Sequence, residues 1–576
     1  MKVIIVGGVA GGASAATRLR RLNEKTEIVI IERSGYVSYA NCGLPYYIGG
    51  FIEDEEELTL QTPESFSSRF NIDVRVKQEV TDIDSDNKVV TITDLNSGNI
   101  YEESYDKLIL SPGAKPVKPN LKGIEDERIF TLRTVEETFK IKNFVDAQKP
   151  QKAVVIGGGF IGLEVAENLS DLGINVTLIH RSQHVLNILD YDMAMLVHSK
   201  LMSKGINLLL NANVSAFESD KKSLNVLLKD DGKINADLVI MSVGVLPEST
   251  LAEKAGLKLG IKNAIMVNDK METSVKDIYA VGDAVMVKHK ITGTDAVISL
   301  AGPANKQGRI VADNICGLDS HYKGSMGSSV LKLFDMTIAT TGITEKVAKN
   351  SKIDYDKVVL SPSSHAGYYP NAKVMTMKVI FEKATLKILG AQIIGTEGVD
   401  KRIDVIATAI QSGINAVDLK DLDLAYAPPY SSAKDPVNMA GFMIENIVTK
   451  KVKQFHYDEI ESLVDNKEVT LLDVRTPFEF KMGHIDNFIN IPVDDLRNRI
   501  AEIDKSKPVY VMCQSGLRSY IACRILTLNG YDCYNFSGGY GFYKAITSNK
   551  PKAEKSYPCG ICLLYTSPSP RDSTSS

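Results

Sequence analysis

One arrangement occurs twice in this chain, at its start and again after residue 150, and it constrains the fold more than any other feature. Residues 3–6, "VIIV", make a short apolar strand, and "GGVAGGASAATRLRRL" follows. Later "AVVIGGGFIGLEVAENLSDLGINVTLIHRS" repeats the strand, the glycine-rich turn, the helix and a second strand. Small residues at Gly7, Gly8, Gly11 and Gly12, and at Gly157, Gly159 and Gly162, let the turn tighten and a pyrophosphate approach the backbone. The helix that starts there aims its free N–H groups and positive dipole end at the phosphates. The second copy matches GxGxxG in full, whereas the first has Val9 at the middle glycine.

The strand "EIVIIE" ends at Glu32, roughly 20 residues past the first loop, where a carboxylate can accept hydrogen bonds from a ribose. The corresponding strand of the second copy ends in His180-Arg181. A cationic pair there suits a 2′-phosphate, since arginine offers it a bidentate fork, which leans the reading toward NADPH over NADH. Two solvated side chains are the alternative, and the choice stays open. Tandem sites of this kind predict two doubly wound α/β domains, one holding a bound flavin nucleotide and one a transient nicotinamide nucleotide.

A length of 576 residues exceeds what one core can organise. The 67 basic and 71 acidic residues nearly cancel, leaving −4, so no nucleic-acid partner is expected. No apolar run approaches the ~20 residues of a membrane helix, and the short run at the start leads into glycines instead of a cleavage site. The seven cysteines are odd in number and dispersed, unlike a disulfide framework, which favours a cytoplasmic setting. Cys559-Gly560-Ile561-Cys562 has the spacing of a redox or metal CxxC, but the serine- and proline-rich tail after it cannot pack a core, so no metal site is expected.

Further on, "SVKDIYAVGDAV" places Gly282 and Asp283 after an apolar strand, where the carboxylate can bind the sugar-alcohol chain of a flavin. "LILSPGAKP" and "LVIMSVGVLPES" look like crossings between the two nucleotide domains. Together these segments resemble the FAD-dependent pyridine nucleotide-disulfide reductases over about residues 1–445. The resemblance implies further cofactor contacts at Arg33, Asn41, Val80, Ser111, Gly113, Phe160, Ile161 and Gly244.

Within that family many members use a CxxxxC pair, but the residue five after Cys42 is Tyr47. Cys42 therefore works without an internal disulfide partner. The motif SxxNCG, here Ser38, Asn41, Cys42 and Gly43, resembles the single-cysteine branch: coenzyme A-disulfide and coenzyme A persulfide reductases, and NADH oxidases and peroxidases. The implied chemistry carries electrons from nicotinamide through flavin to a sulfur bound at Cys42, as a mixed disulfide or persulfide, or as a sulfenic acid in the oxidases. "SHAGYYPNAK" and "LAYAPPYSSAKDPVNMAGF" resemble segments of the coenzyme A-disulfide reductases, in which tyrosines of a partner subunit complete the site. Tyr368 and Tyr426 map to that role, with Tyr430 in reserve, and a homodimer is implied. Arg18, Arg21, Arg69 and Lys434 are the candidate cations for coenzyme A phosphates, with Ser14, Ser38, Asn41 and Asn305 as further contacts.

After residue 454 a different pattern begins. The segments "DVR", "GHI" and "NIP", then Cys513-Gln514-Ser515-Gly516-Leu517-Arg518 and the closing "FSGGY", resemble a rhodanese domain. Loop N–H groups and a helix N-terminus there would lower the Cys513 pKa and hold a persulfide, with Arg518 adding charge for an anionic sulfur. Cys523 and Cys533 read as core residues.

The expected organisation is an FAD domain (1–110 with 255–325), an NAD(P)H domain (111–254), an α+β dimerisation domain (326–445), an α/β rhodanese domain (455–548) and a disordered or non-native tail (549–576). The expected activity is NAD(P)H-dependent reduction of coenzyme A disulfide, coenzyme A persulfide or polysulfide at Cys42, coupled to the rhodanese. An NAD(P)H oxidase or peroxidase, and a sulfur-relay binding protein, are the alternatives.

Overall fold

The computed structural model describes residues 1–220 and 223–547. The tail expected at 549–576, with Cys559 and Cys562, lies outside the described residues. A parallel sheet runs in the order Ile278–Ala280, Lys107–Leu110, Lys2–Val6, Glu27–Glu32, Asp73–Val76. Its inner strands are continuously apolar, as strands covered on both faces must be. Small residues let the helices Ala10–Leu22 and Ala301–Ile315 close on each other: a Cβ on Gly308 would lie 2.3 Å from the Gly11 carbonyl oxygen.

A second parallel sheet has the order Asn207–Leu209, Asn175–Ile179, Lys152–Ile156, Leu238–Met241, Ile129–Thr131. The first sheet takes its outermost strand from beyond the second, so the chain leaves the first domain and returns. Next comes an antiparallel sheet, Ser329–Leu333, Met336–Gly342, Ile388–Gly395, Thr376–Glu382, Tyr355–Leu360, covered by the helices Val399–Ser412 and Pro436–Val448. The last sheet is parallel, Lys453–Phe455, Cys533–Phe536, Val509–Met512, Thr470–Asp473, Ile489–Asn490.

This last unit is docked on the others. Phe542 and Ile546 join the same buried apolar cluster as Met193, Val197 and Leu333. Val359 N–H donates to Ser537 Oγ at 3.0 Å, and Gln454 Nε2 donates to the Lys357 carbonyl at 2.6 Å. Beside that seam Lys378, fully buried, places Nζ 3.1 Å from Asp190 and 2.8 Å from Asp192, and bonds Glu345 as well. Among the described residues no helix is long and apolar enough to cross a membrane.

Candidate functional site

The two glycine loops are built alike, atom for atom. Gly7 and Gly157 both take positive φ, and a Cβ on either would lie 2.2 Å from a carbonyl oxygen, of Ser111 and Ser242 respectively. A Cβ on Gly12 or Gly162 would lie 1.9 Å from the carbonyl oxygen of Gly7 or Gly157. Only glycine satisfies those positions. The middle position differs in kind, because Val9 and Gly159 both have negative φ and cap their helices in extended or near-extended backbone. A valine there breaks no backbone requirement, which explains the imperfect first motif. Cβ atoms on Gly159 and Gly244 would meet nothing within 4 Å, so the second loop faces open volume of the kind a nucleotide pyrophosphate needs.

The acceptor ends correspond too. Glu32 accepts from Gly8 N–H at 2.8 Å, and His180 Nδ1 accepts from Gly158 N–H at 3.0 Å. Burial pushes the Glu32 carboxyl up against the pull of the Gly8 and Ser34 amides. For His180, burial first, then the charges of His184 and Arg181, push the imidazole below its ordinary value. The expectation of a cationic His180-Arg181 pair is therefore corrected: His180 is neutral, with Nδ1 as acceptor, and Arg181 alone is the exposed cation. His180 Nε2 is buried and has no hydrogen-bond partner among the described residues.

Cys42 lies exposed in the turn Asn41–Gly43, which runs into the helix Leu44–Ile48. Ser38, at φ 49°, ties this segment to the first glycine loop through its N–H, which donates to the Gly8 carbonyl at 2.8 Å. Asn41, with its amide turned to match its neighbours, accepts from Arg133 at 2.7 Å, and Arg133 donates to Asp283 at 3.2 Å. Gly282 N–H donates to Gln307 at 2.7 Å. Although the residue is exposed, the protein around its sulfur withdraws enough water to push the Cys42 thiol up; the Glu164 and Asp283 carboxylates push the same way, and Arg133 opposes them. Ser111 hydrogen-bonds into the strand ladder at Val6, and a Cβ on Gly113 would meet Arg133 at 3.0 Å. Arg33 is exposed, whereas Val80 buries its side chain in the core and offers only backbone to a ligand. Phe160 and Ile161 open the second loop's helix and pack partly into the core. Arg133 carries no motif, and Glu164 was hidden in a run that reads as plain helix. Its place two residues after Gly162 was the available signal.

Tyr368 and Tyr426 meet, hydroxyl to hydroxyl at 2.7 Å, and Tyr430 is exposed nearby in sequence. Their two loops are tied by Arg402, which is fully buried and paired with Asp435 at 3.0 Å. The same guanidinium donates to the Ser364 carbonyl at 3.0 Å and the Tyr430 carbonyl at 3.2 Å. Ser14 Oγ and Asn305 bond at 2.5 Å across the helix seam. Arg18 is held by Asp313 at 2.7 Å, so it offers a half-neutralised charge; Arg21, Arg69 and Lys434 are exposed.

In the last unit Cys513 follows the strand Val509–Met512. Its Sγ accepts from Gly516 N–H at 3.1 Å and Ser519 Oγ at 3.3 Å. Gly539, at φ 73°, presses on the loop, and Tyr540 N–H donates to the Cys513 carbonyl at 2.8 Å. Arg518 forks onto Glu479 at 2.7 Å through both nitrogens and holds its carboxyl down to about 2, so the cation expected for the sulfur is already paired. Cys523 and Cys533 are buried in the core beneath.

Residues 1–308 match the pyridine nucleotide-disulphide oxidoreductase family, 328–436 its dimerisation domain and 456–545 the rhodanese-like domain. The chain is 39% identical over 443 residues to a coenzyme A disulfide reductase of Staphylococcus aureus (strain JH9), spanning 77% of this chain and 99% of that protein. Among solved structures, reduced Bacillus anthracis CoADR-RHD is 49% identical with a TM-score of 0.93, covering 95% of this chain and 98% of that one. A NAD-dependent persulfide reductase from A. fulgidus is 38% identical with a TM-score of 0.88, covering 94% and 100%.

Proposed function

The chain belongs to the pyridine nucleotide-disulphide oxidoreductases, with that family's dimerisation domain and a rhodanese-like domain appended, and on that premise we propose that it reduces coenzyme A disulfide, coenzyme A persulfide or polysulfide with NAD(P)H. The observation that carries the reading is Cys42, exposed beside the Arg133–Asp283 pair, with Tyr47 where an internal disulfide partner would stand. Its partner sulfur then arrives with the substrate.

The residues of the first loop, Glu32 and Asp283 fit FAD, and those of the second loop with His180 and Arg181 fit the nicotinamide nucleotide. A flavin there supplies two-electron transfer between nicotinamide and sulfur. The chain itself orients the reacting groups: Asn41 and Arg133 hold the Cys42 turn, and Arg402 holds the loops that present Tyr368 and Tyr426. In a homodimer these hydroxyls serve a partner's site, donating to the departing thiolate. Exposed Arg21, Arg69 and Lys434 meet coenzyme A phosphates. Cys513, with loop N–H and Ser519 at its sulfur, carries persulfide for a separate sulfurtransferase step. His180 being neutral, Arg181 alone carries a preference for NADPH.

Anaerobic oxidation of NADPH and NADH by the flavin-loaded protein tests this, with coenzyme A disulfide and persulfide compared against air. Fast turnover only with sulfur acceptors is expected; fast turnover in air alone would make it an oxidase. Cys42→Ser should abolish disulfide reduction and spare thiosulfate sulfurtransferase activity, and Cys513→Ser should do the reverse. Loss of both activities in either variant would defeat the two-site reading.

A further inference from the structure

The last helix of the rhodanese-like unit, Gly539–Thr547, faces two ways. Its first turn lies on the Cys513 loop, where Gly541 N–H donates to the Gln514 carbonyl at 3.0 Å. Its other side leaves that unit. Phe542 and Ile546, both buried, pack with the helix Tyr191–Ser203 of the second parallel-sheet domain, in one apolar cluster with Met193 and Val197.

That helix in turn holds the backbone that follows His180-Arg181. Val185 N–H donates to Nε2 of the fully buried His198 at 3.2 Å. Leu186, at φ 52°, donates its N–H to the Gly158 carbonyl at 2.8 Å. A Cβ on Gly158 would lie 2.7 Å from Val185 Cγ1, so this segment presses on the second glycine loop. Val185, Leu186 and Leu189 belong to the same apolar cluster as Phe542 and Ile546. One continuous packing therefore runs from the appended unit to Gly158.

We infer, on the reading of that loop as the nicotinamide nucleotide site, that Phe542, Ile546 and His198 are positioning residues for it. The appended unit holds the helix Tyr191–Ser203 where His198 can seat Val185 and Leu186 against Gly158. The other ties on this helix lie toward its ends. Asp190 and Asp192 fix its start through Gln392 at 2.7 Å and Lys378 at 2.8 Å. Near its end Lys200 pairs with the exposed Asp335 at 2.9 Å, a contact that restrains little in water. Between them the restraint on His198 is close packing, which cannot lose one side without the other moving.

Isothermal titration of NADP⁺ and NAD⁺ into the flavin-loaded full chain tests this without any sulfur acceptor. Ile546→Ala and Ile546→Glu should weaken both nucleotides, the second by about fivefold or more, the lower end of couplings between sites. His198→Leu, which removes the acceptor for Val185 N–H, should weaken both as well, and His198→Gln, which keeps an acceptor, should restore most of the affinity. Flavin content and thiosulfate sulfurtransferase activity should stay native in the Ile546 variants. Native affinity in either Ile546→Glu or His198→Leu would overturn the inference. An affinity loss matched by lost flavin would mean general unfolding and would overturn it too. If the unsubstituted chain bound neither nucleotide, the reading of the second loop as their site would itself fall. Arg181→Ala, run alongside, should weaken NADP⁺ alone, which separates the part played by that cation from the part played by the loop.

Discussion

Lys378→Met should cost this protein more stability than any surface change. Its Nζ is the cation shared by Asp190, Asp192 and Glu345, three buried or nearly buried carboxylates from two domains. Among the described residues only Glu345 has a second cation, Lys357 at 2.8 Å. Burial already pushes the Asp190 carboxyl up, while Lys378 and Lys357 hold Glu345 far below the usual range. Removing one partner of a buried ionic cluster leaves uncompensated charge and costs about 3–5 kcal/mol, a third or more of a typical domain's stability. Methionine keeps most of the stem's volume, so the loss reports charge and not a cavity. In the variant, Asp190, whose carboxyl burial already pushes up, escapes the penalty by taking a proton. The deficit should therefore shrink as pH falls, since the folded variant binds protons more tightly than the unfolded chain. Urea titrations of the flavin-loaded protein at pH 7.5 and 5.5 measure both effects. Because Tyr457 of the last unit packs beside this cluster, the variant should also be cut faster by protease near residues 449–452. A loss under 1 kcal/mol, or one that grows at low pH, would refute the reasoning.

Gly162→Ala should abolish NAD(P)H binding or folding of the second loop, its Cβ meeting a carbonyl oxygen at 1.9 Å; Gly159→Ala, facing open space, should keep the fold and raise the nucleotide KM, as circular dichroism and initial rates will tell. Arg181→Ala should lower kcat/KM for NADPH at least tenfold and leave NADH nearly unchanged, as steady-state kinetics with the two nucleotides will show. His198, fully buried, accepts from Val185 N–H through Nε2, and burial pushes it to about 3. The unfolded chain then takes protons first, so this stability is present above pH ~6.5 and drains toward pH 3 at up to about 1.4 kcal/mol per unit; His198→Gln should flatten the urea-midpoint profile. Arg402→Met should loosen both tyrosine loops and lower acceptor reduction at least tenfold, while the rhodanese step measured with thiosulfate stays unchanged.

What could be read from the residues and what could not divides along a physical line. Gly7, Gly12, Gly157 and Gly162 answer to backbone atoms a few positions away, so their spacing along the chain is their geometry. The Cys513 loop is legible for the same reason, its sulfur being met by Gly516 and Ser519 only three and six residues on. Arg133 with Asp283, Arg402 with Asp435 and Lys378 with Asp192 join elements that the fold alone brings together, and no spacing announces them. His180 shows the remaining limit. Its identity and its place at a strand end were plain, but its charge depends on a buried amide aimed at Nδ1 and on the shielding around the ring. A motif can name the side chain at the ribose; only packing decides whether that side chain is a cation. The same holds at Cys42, where the missing second cysteine identifies the class of chemistry, and Glu164, whose charge helps push its thiol up, comes from a helix more than a hundred residues away.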